Sequence, residues 1–356
     1  MNEQIPLHLD VRDLSVSFPG SRGPVRILEG VSFSLRAGEV LALVGETGCG
    51  KSVTAKTILN LIPRLTCERD GLVQFERRNL LKLSNRELQA YRGRRISMVF
   101  QNPQSSINPV FTLGEQLKRL IRKHLVDEID SLRHSEEISL RQAVHRLARE
   151  KLLEVGLTDV ERLLKSYPHQ ISGGMAQRYR IATALLGSPE ILIADEATSA
   201  LDVTVQAHIL NLLKNLCRQK GTAILFITHD LGIAAQICDR VAVMYAGRII
   251  ETAPTVELFE KPLHPYTRGL LKAVPRLGQK TRLEQIPGMI PDLANPPGGC
   301  RFHPRCAHRL VRCEREKPAR SSVGVEHRVA CHLYPAEDRG EHNQVVEAAV
   351  SRGADG

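Results

Sequence analysis

Gly45-Glu46-Thr47-Gly48-Cys49-Gly50-Lys51-Ser52 fits the spacing G-x-x-x-x-G-K-[ST], and its flanks constrain the fold more than any other stretch of the chain. Before it runs Val40-Leu41-Ala42-Leu43-Val44, continuously apolar as in a strand buried on both faces. After Gly50 the apolar spacing turns helical, with Ile58 and Ile62 four apart and Pro63 as the stop. A glycine-rich turn between a buried strand and a helix offers backbone N–H groups and a positive helix end to phosphates. Lys51 is then expected to bridge β- and γ-phosphates and Ser52 to ligate Mg²⁺, with Val53 next in the same helical turn. Cys49 has two readings: a small residue that fits the loop, or a thiol whose oxidation switches activity.

The alternation of short apolar strands with helical periodicity continues from Val11 to about Ala253, the pattern of an α/β domain with a largely parallel sheet. Val31–Leu35 alternates like a half-buried strand, and strands resume at Ile191–Ala194 and Thr222–Thr228. Between about Gly114 and Gly156 the apolar positions (Leu117, Leu120, Ile121; Val144, Leu147, Leu152) mark charged amphipathic helices inserted between strands. The strand Ile191-Leu192-Ile193-Ala194 ends in Asp195-Glu196, and the C-terminal edge of an open α/β sheet is where ligands bind. Asp195 is expected as a partner of Mg²⁺, and Glu196 as the group that polarises a water for attack on the γ-phosphate.

Composition narrows the setting. No apolar run approaches the roughly 20 residues that cross a bilayer, and Met1–Pro6 has no charged n-region before a long apolar stretch. A reducing cytosol is therefore the expected compartment. The net charge of +10 suits an anionic membrane surface, nucleic acid or phosphate ligands, and equally a slightly basic cytosolic protein. Trp is absent and aromatics make up only 4%, which argues against stacking platforms for single-stranded nucleic acid. Four of the eight cysteines cluster as Cys300, Cys306, Cys313 and Cys331, and in a reducing compartment clustered thiols suggest metal before disulfide. Their C-x5-C-x6-C-x17-C spacing lacks the close pair typical of structural zinc, whereas four thiolates can hold an iron–sulfur cluster. Zinc and unmetallated thiols stay open as alternatives. His303, His308 and His332 are read as bystanders; Arg301, Arg305, Arg309 and Arg312 either offset thiolate charge or form a solvated face.

Between phosphate loop and acidic strand lies Ile171-Ser172-Gly173-Gly174-Met175-Ala176-Gln177-Arg178, opening a helix that ends at Gly187-Ser188-Pro189. With Ser199-Ala200-Leu201-Asp202 and Thr228-His229-Asp230 behind the Asp-Glu pair, this order and spacing resemble the ABC-transporter ATPase family over nearly all of residues 8–255. The resemblance implies a P-loop NTPase fold with a helical subdomain at about 102–185, and two such domains sandwiching two ATP molecules head to tail. One subunit's phosphate loop and the other's Ser172-Gly173-Gly174-Met175 would then meet the same nucleotide. It further implies that Gln101 senses Mg²⁺ and the attacking water, that His229 contacts the γ-phosphate, and that Asp202 bridges to the partner subunit. Phe18 would stack on adenine, with a strand-end core aromatic as the plainer reading. Met175 stands where Gln is usual after Ser-Gly-Gly, and Ala197 where Pro is usual after Asp-Glu.

Beyond Pro254 the composition shifts to Pro, His, Arg and Cys. Leu263-His264-Pro265-Tyr266-Thr267-Arg268-Gly269-Leu270-Leu271 and Gly299–Cys306 resemble the extension of the peptide/nickel-uptake branch of the family, in one of whose two ATPase subunits Met175 is usual. That resemblance implies a nucleotide-binding domain at 1–255 and an extension at 256–335 whose Cys300, Cys306, Cys313 and Cys331 hold a [4Fe–4S] cluster; the polar tail at 336–356 reads as disordered. The implied activity is ATP hydrolysis powering import of dipeptides or oligopeptides, with nickel or another small solute as the alternative cargo. Implied partners are a second, non-identical ATPase, two membrane-spanning permeases on whose cytoplasmic face the chain sits, and an extracytoplasmic binding protein. A DNA-repair or chromosome-structure ATPase would carry a long coiled coil between Ser52 and Ser172, and no sustained heptads occur there. Nucleic acid is not an expected partner.

Overall fold

The computed structural model describes residues 7–21, 23–101, 106–198, 202–274 and 285–334. In chain order its strands begin with β1 (Leu7–Phe18), β2 (Val25–Arg36), β3 (Val40–Val44), β4 (Glu68–Phe75), β5 (Arg78–Asn79) and β6 (Ile96–Val99). They continue with β7 (Ile191–Asp195), β8 (Ala223–Thr228), β9 (Arg240–Tyr245), β10 (Arg248–Pro254), β11 (Ser321–Ser322) and β12 (Arg328–Val329). One antiparallel sheet has the order β2-β1-β4-β5, and a mixed sheet has the order β11-β12-β10-β9-β3-β8-β7-β6. Within the mixed sheet β9, β3, β8, β7 and β6 run parallel, while β10, β12 and β11 are antiparallel additions.

The continuous apolar strands have a simple cause. In β3, Val40, Ala42 and Val44 face one core while Leu41 and Leu43 face another, because successive side chains point to opposite faces. Strands β7 and β8 divide in the same way, with Leu192 and Phe226 on the first side and Ile193 and Leu225 on the second. The second core lies toward the antiparallel sheet (Leu9, Val11, Phe33, Val73), so β3 is clamped between two layers. The first core reaches into helices Leu113–His124, Val126–Glu136 and Leu140–Glu154, the inserted helical layer. Capping boxes at Thr112/Glu115 and Ser139/Gln142 start two of these helices.

The helix after the phosphate loop is shorter than its apolar spacing suggests. It covers Lys51–Ile58, and Asn60 turns into the left-handed region (φ 51°), well before Pro63. Asn tolerates that conformation, so the turn wins over continued periodicity. After Pro254 the chain returns to the same sheet: β12 pairs with β10 (Glu251 with Val329) and β11 with β12. Buried Glu251 anchors this return, accepting from Leu263 N (2.7 Å) and His264 N (2.9 Å) and meeting His327 Nε2 at 2.8 Å. Among the described residues no helix is long and apolar enough to cross a membrane. Ser199, Ala200 and Leu201, and the tail read as disordered, lie outside the described residues.

Candidate nucleotide site

The mixed sheet brings its loops to one edge. Val44, Asp195 and Thr228 end adjacent parallel strands β3, β7 and β8, so the residues that follow each strand converge. A cavity of about 420 Å³ opens there, lined by Phe18, Ile27, Thr47, Gly48, Gly50, Lys51, Ser52, Val53, Gln101 and Glu196. Phe18, at the end of β1, thus shares a wall with the phosphate loop.

Each loop residue has a physical reason to be where it is. Gly45 passes so close to β9 that a Cβ would lie 2.2 Å from the Met244 carbonyl oxygen. Gly50 (φ 109°) is the N-cap of the helix and would strike Leu28 if it carried a side chain. Lys51 is buried and its Nζ donates to Gly45 O (2.7 Å) and Glu46 O (3.0 Å), a cation folded back onto its own loop. Cys49 is 1% exposed, and burial pushes its thiol pKa up, the opposite of an activated thiolate; of its two readings, the small packing residue is the one this setting matches.

Ser52 Oγ donates to Asp195 Oδ1 at 3.0 Å. Burial raises the Asp195 pKa, reinforced by the neighbouring Glu196 charge and opposed by the Ser52 hydrogen bond. A buried carboxylate beside a hydroxyl at the phosphate loop is a donor set that suits Mg²⁺, with Gln101 on the wall of the adjoining cavity.

Glu196 adopts φ 49°, a left-handed conformation uncommon for a residue with a side chain. Its N–H still bonds Ile227 O (2.9 Å), so the sheet continues one bond past Asp195 before the chain swings and turns the carboxylate into the cavity. There Gln101 Nε2 donates to Glu196 Oε2 (2.6 Å), and His229 Nδ1 stands 3.2 Å from Oε1. With a proton on Nδ1, His229 donates to this carboxylate. Phosphate loop, metal-type pair, Gln101, Glu196 and His229 therefore form one constellation.

Ser172–Met175 take no part in it. Ser172 caps helix Gly173–Leu185, its Oγ accepting from Met175 N (3.2 Å), and a Cβ at Gly173 would meet nothing within 4 Å. This open helix end lines none of the same chain's cavity. Asp202 caps helix Val203–Lys220 through Oδ1 and Val205 N (2.9 Å).

Several residues that position this site had no local signal. Gln177 Nε2, from the Ser172 helix, donates to Ala197 O beside Glu196, while Arg180 bonds Gln177 Oε1 (3.1 Å) and the carbonyl of Phe100, next to Gln101. Arg301 and Arg305 are neither a solvated face nor counter-charges for thiols. Arg301 pairs with Glu29 (2.6 Å) and Arg305 with Glu46 (2.8 Å), their side chains 4% and 5% exposed. Burial would raise the Glu29 carboxyl, but Lys317, Arg248 and Arg301 outweigh it and hold it at about 2.

The four clustered cysteines share one neighbourhood, since Cys300 N bonds Cys313 O (2.8 Å) and the charges of Cys300, Cys306 and Cys313 help burial push the Cys331 thiol up to about 11. They do not form a ligand set as arranged: among the described residues no group of three or more His, Cys, Asp or Glu is placed to hold a metal ion.

Known proteins resemble this chain over most of its length. The ABC transporter family model matches residues 28–199, and that of the oligopeptide/dipeptide transporter C-terminal region matches residues 250–313. The chain is 47% identical over 333 residues to a probable peptide ABC transporter ATP-binding protein of Sinorhizobium fredii, covering 93% of this chain and 96% of the relative. It is 44% identical over 340 residues to the dipeptide transport ATP-binding protein DppD of Bacillus subtilis, covering 94% and 96%. Among solved structures, a dimeric bacterial ABC transporter cassette, MJ0796, superposes with TM-score 0.59 at 26% identity over 69% of this chain and 98% of that one. A post-hydrolysis dimer of MJ0796 bound to ADP and Pi aligns with TM-score 0.58 at 28% identity. On these matches the chain belongs to the ABC transporter family, among the ATP-binding proteins of the oligopeptide/dipeptide type.

Proposed function

We propose that this protein is the ATP-hydrolysing subunit of a peptide importer, acting as one half of an ATPase pair on the cytoplasmic face of two membrane permeases. The observation that carries the reading is Glu196, held between Gln101 and His229 and aimed at the phosphate-loop cavity. In this mechanism ATP enters with its adenine at Phe18, and Lys51 leaves the Gly45 and Glu46 carbonyls for the β- and γ-phosphates. Ser52, Asp195 and Gln101 would hold Mg²⁺, which when bound neutralises charge on the terminal phosphates. Glu196 takes the proton of a water aligned on the γ-phosphorus, and His229 keeps the carboxylate oriented. No covalent intermediate is needed, so catalysis rests on positioning and on charge neutralisation.

The second half of each site comes from the partner subunit's copy of the open helix end at Ser172–Met175, which supplies N–H groups and a positive dipole end to the γ-phosphate. Closure is passed to the permeases through Gln101, next to an apolar groove of about 350 Å³ lined by Leu61, Met98, Phe100, Ile107 and Leu120. A non-identical ATPase partner and an extracytoplasmic peptide-binding protein complete the assembly. An iron–sulfur cluster on Cys300, Cys306, Cys313 and Cys331 has no step in this mechanism; iron analysis of anaerobically purified protein tests for it. Affinity purification from mild-detergent membranes is expected to recover polytopic permeases whose ATPase responds to peptide-loaded binding protein. Recovery free of any such permease, with ATP turnover stimulated by DNA instead, would refute the reading.

A further inference from the structure

Glu46 is the acidic residue of the phosphate loop, and remote parts of the chain hold it. Its N–H donates to Tyr266 Oη (3.0 Å), and its carboxylate accepts from Arg305 Nη1 (2.8 Å) and Nη2 (3.1 Å), a bidentate pair. Its carbonyl in turn accepts from Lys51 Nζ at 3.0 Å. Neither remote partner is free to drift. Tyr266 is fully buried against Tyr245 and Phe302, with ring centroids 4.6 and 5.5 Å away. Arg305 also donates through Nε to Pro287 O (2.9 Å) and through Nη2 to Ile286 O (3.3 Å).

A carboxylate inside a triphosphate-binding loop repels its own ligand unless a cation cancels it. We propose that Arg305, together with Tyr266, is a positioning residue for nucleotide binding: its guanidinium neutralises Glu46 and fixes the Glu46 peptide so that the loop N–H groups and Lys51 face the phosphates. The C-terminal segment is then part of the ATP site although it touches no phosphate. The inference rests on nucleotide binding at the phosphate loop and not on the cargo or the permeases.

The test is equilibrium binding of a fluorescent ATP analogue to the full chain, with ATPase kinetics in the membrane complex alongside. Ground state and transition state share the loop contacts, so Arg305→Ala should weaken binding and raise KM by about tenfold while kcat at saturating ATP stays within about twofold. Arg305→Ala/Glu46→Gln should recover most of the affinity, because the naked carboxylate is gone. Should Arg305→Ala fail to fold, Arg305→Lys keeps the charge but loses the fork, and a loss of about threefold reversed by Glu46→Gln is expected. Equal affinities across these variants overturn the proposal. So does a loss that Glu46→Gln leaves unrepaired while the melting temperature falls, the mark of a general structural role. Parent protein that binds no nucleotide would instead count against the ATPase reading itself.

Discussion

Replacing Glu196 by Gln keeps the shape of the side chain and removes its capacity to accept a proton, so it isolates the chemical step. In the structure Oε2 receives the Gln101 amide at 2.6 Å and Oε1 faces His229 Nδ1 at 3.2 Å. A Gln at 196 can keep its carbonyl toward His229; its amide nitrogen then confronts that of Gln101, which restores the bond by turning its own amide over. The structural cost is that of one rearranged neutral hydrogen bond, about 1 kcal/mol. Loss of a positioned general base removes about 10² to 10⁴ in rate, or about 3 to 5 kcal/mol of barrier lowering. Chemistry should therefore slow far more than binding weakens, and ATP should accumulate in a closed dimer. Single-turnover phosphate release from the membrane complex reads the first effect, and size-exclusion of the isolated chain with ATP reads the second. Phosphate release within tenfold of the parent would remove Glu196 from the role of base.

Other perturbations separate the remaining parts. Gly45→Ala drives a methyl to 2.2 Å from Met244 O and 2.9 Å from Cys49 Sγ; a stability loss of about 1–3 kcal/mol by denaturant titration should accompany loss of nucleotide binding, and unchanged binding would mean the loop can shift away from β9. Ser172→Ala deletes the cap on Met175 N and should cost about 1 kcal/mol in stability. It should leave ATP binding to the isolated chain untouched while slowing hydrolysis in the assembled pair, and weakened binding by the isolated chain would contradict a site shared between subunits. The His327–Glu251–Glu257 cluster, in which His327 and Glu251 are buried and Glu257 is half-exposed, gives stability a pH window. Burial lowers the His327 pKa, but the two carboxylates outweigh it and raise the value above the ordinary 6.5; burial raises Glu251, but His327 and the backbone donors hold it below 4.5. The His contribution is complete below its ordinary value and lost as pH climbs through the raised one, while the Glu contribution is lost on acidification through the lowered one. The melting-temperature gap between the parent and His327→Gln should thus peak between these limits, and a gap constant from about pH 5 to about pH 9 would count against it.

Much of the site is legible in the sequence because each element carries a local pattern. Gly45–Ser52, Asp195-Glu196 and Thr228-His229 each sit where a buried apolar strand ends, and parallel strands bring such ends to one edge whatever the intervening sequence does. The two-sided burial of β3 was legible for the same reason, since a strand covered on both faces has no polar positions to alternate with. What could not be read are pairings between distant residues with no periodicity to announce them. Glu46 with Arg305, Glu29 with Arg248 and Arg301, and Gln177 with Ala197 depend on how layers stack, and an isolated Arg in a basic, Pro-rich stretch looks like solvated surface. The early end of the helix at Ile58 was hidden likewise, because Ile62 keeps the helical spacing after Asn60 has turned the backbone away.

Synthesis order gives the Glu46 contacts a last consequence. A ribosome delivers Glu46 220 residues before Tyr266 and 259 residues before Arg305. Until Arg305 is made the nascent chain carries an uncancelled acid in the phosphate loop, so a part-made cassette would hold ATP more weakly than the folded protein, and full grip on its fuel waits for the segment that leads into β11 and β12.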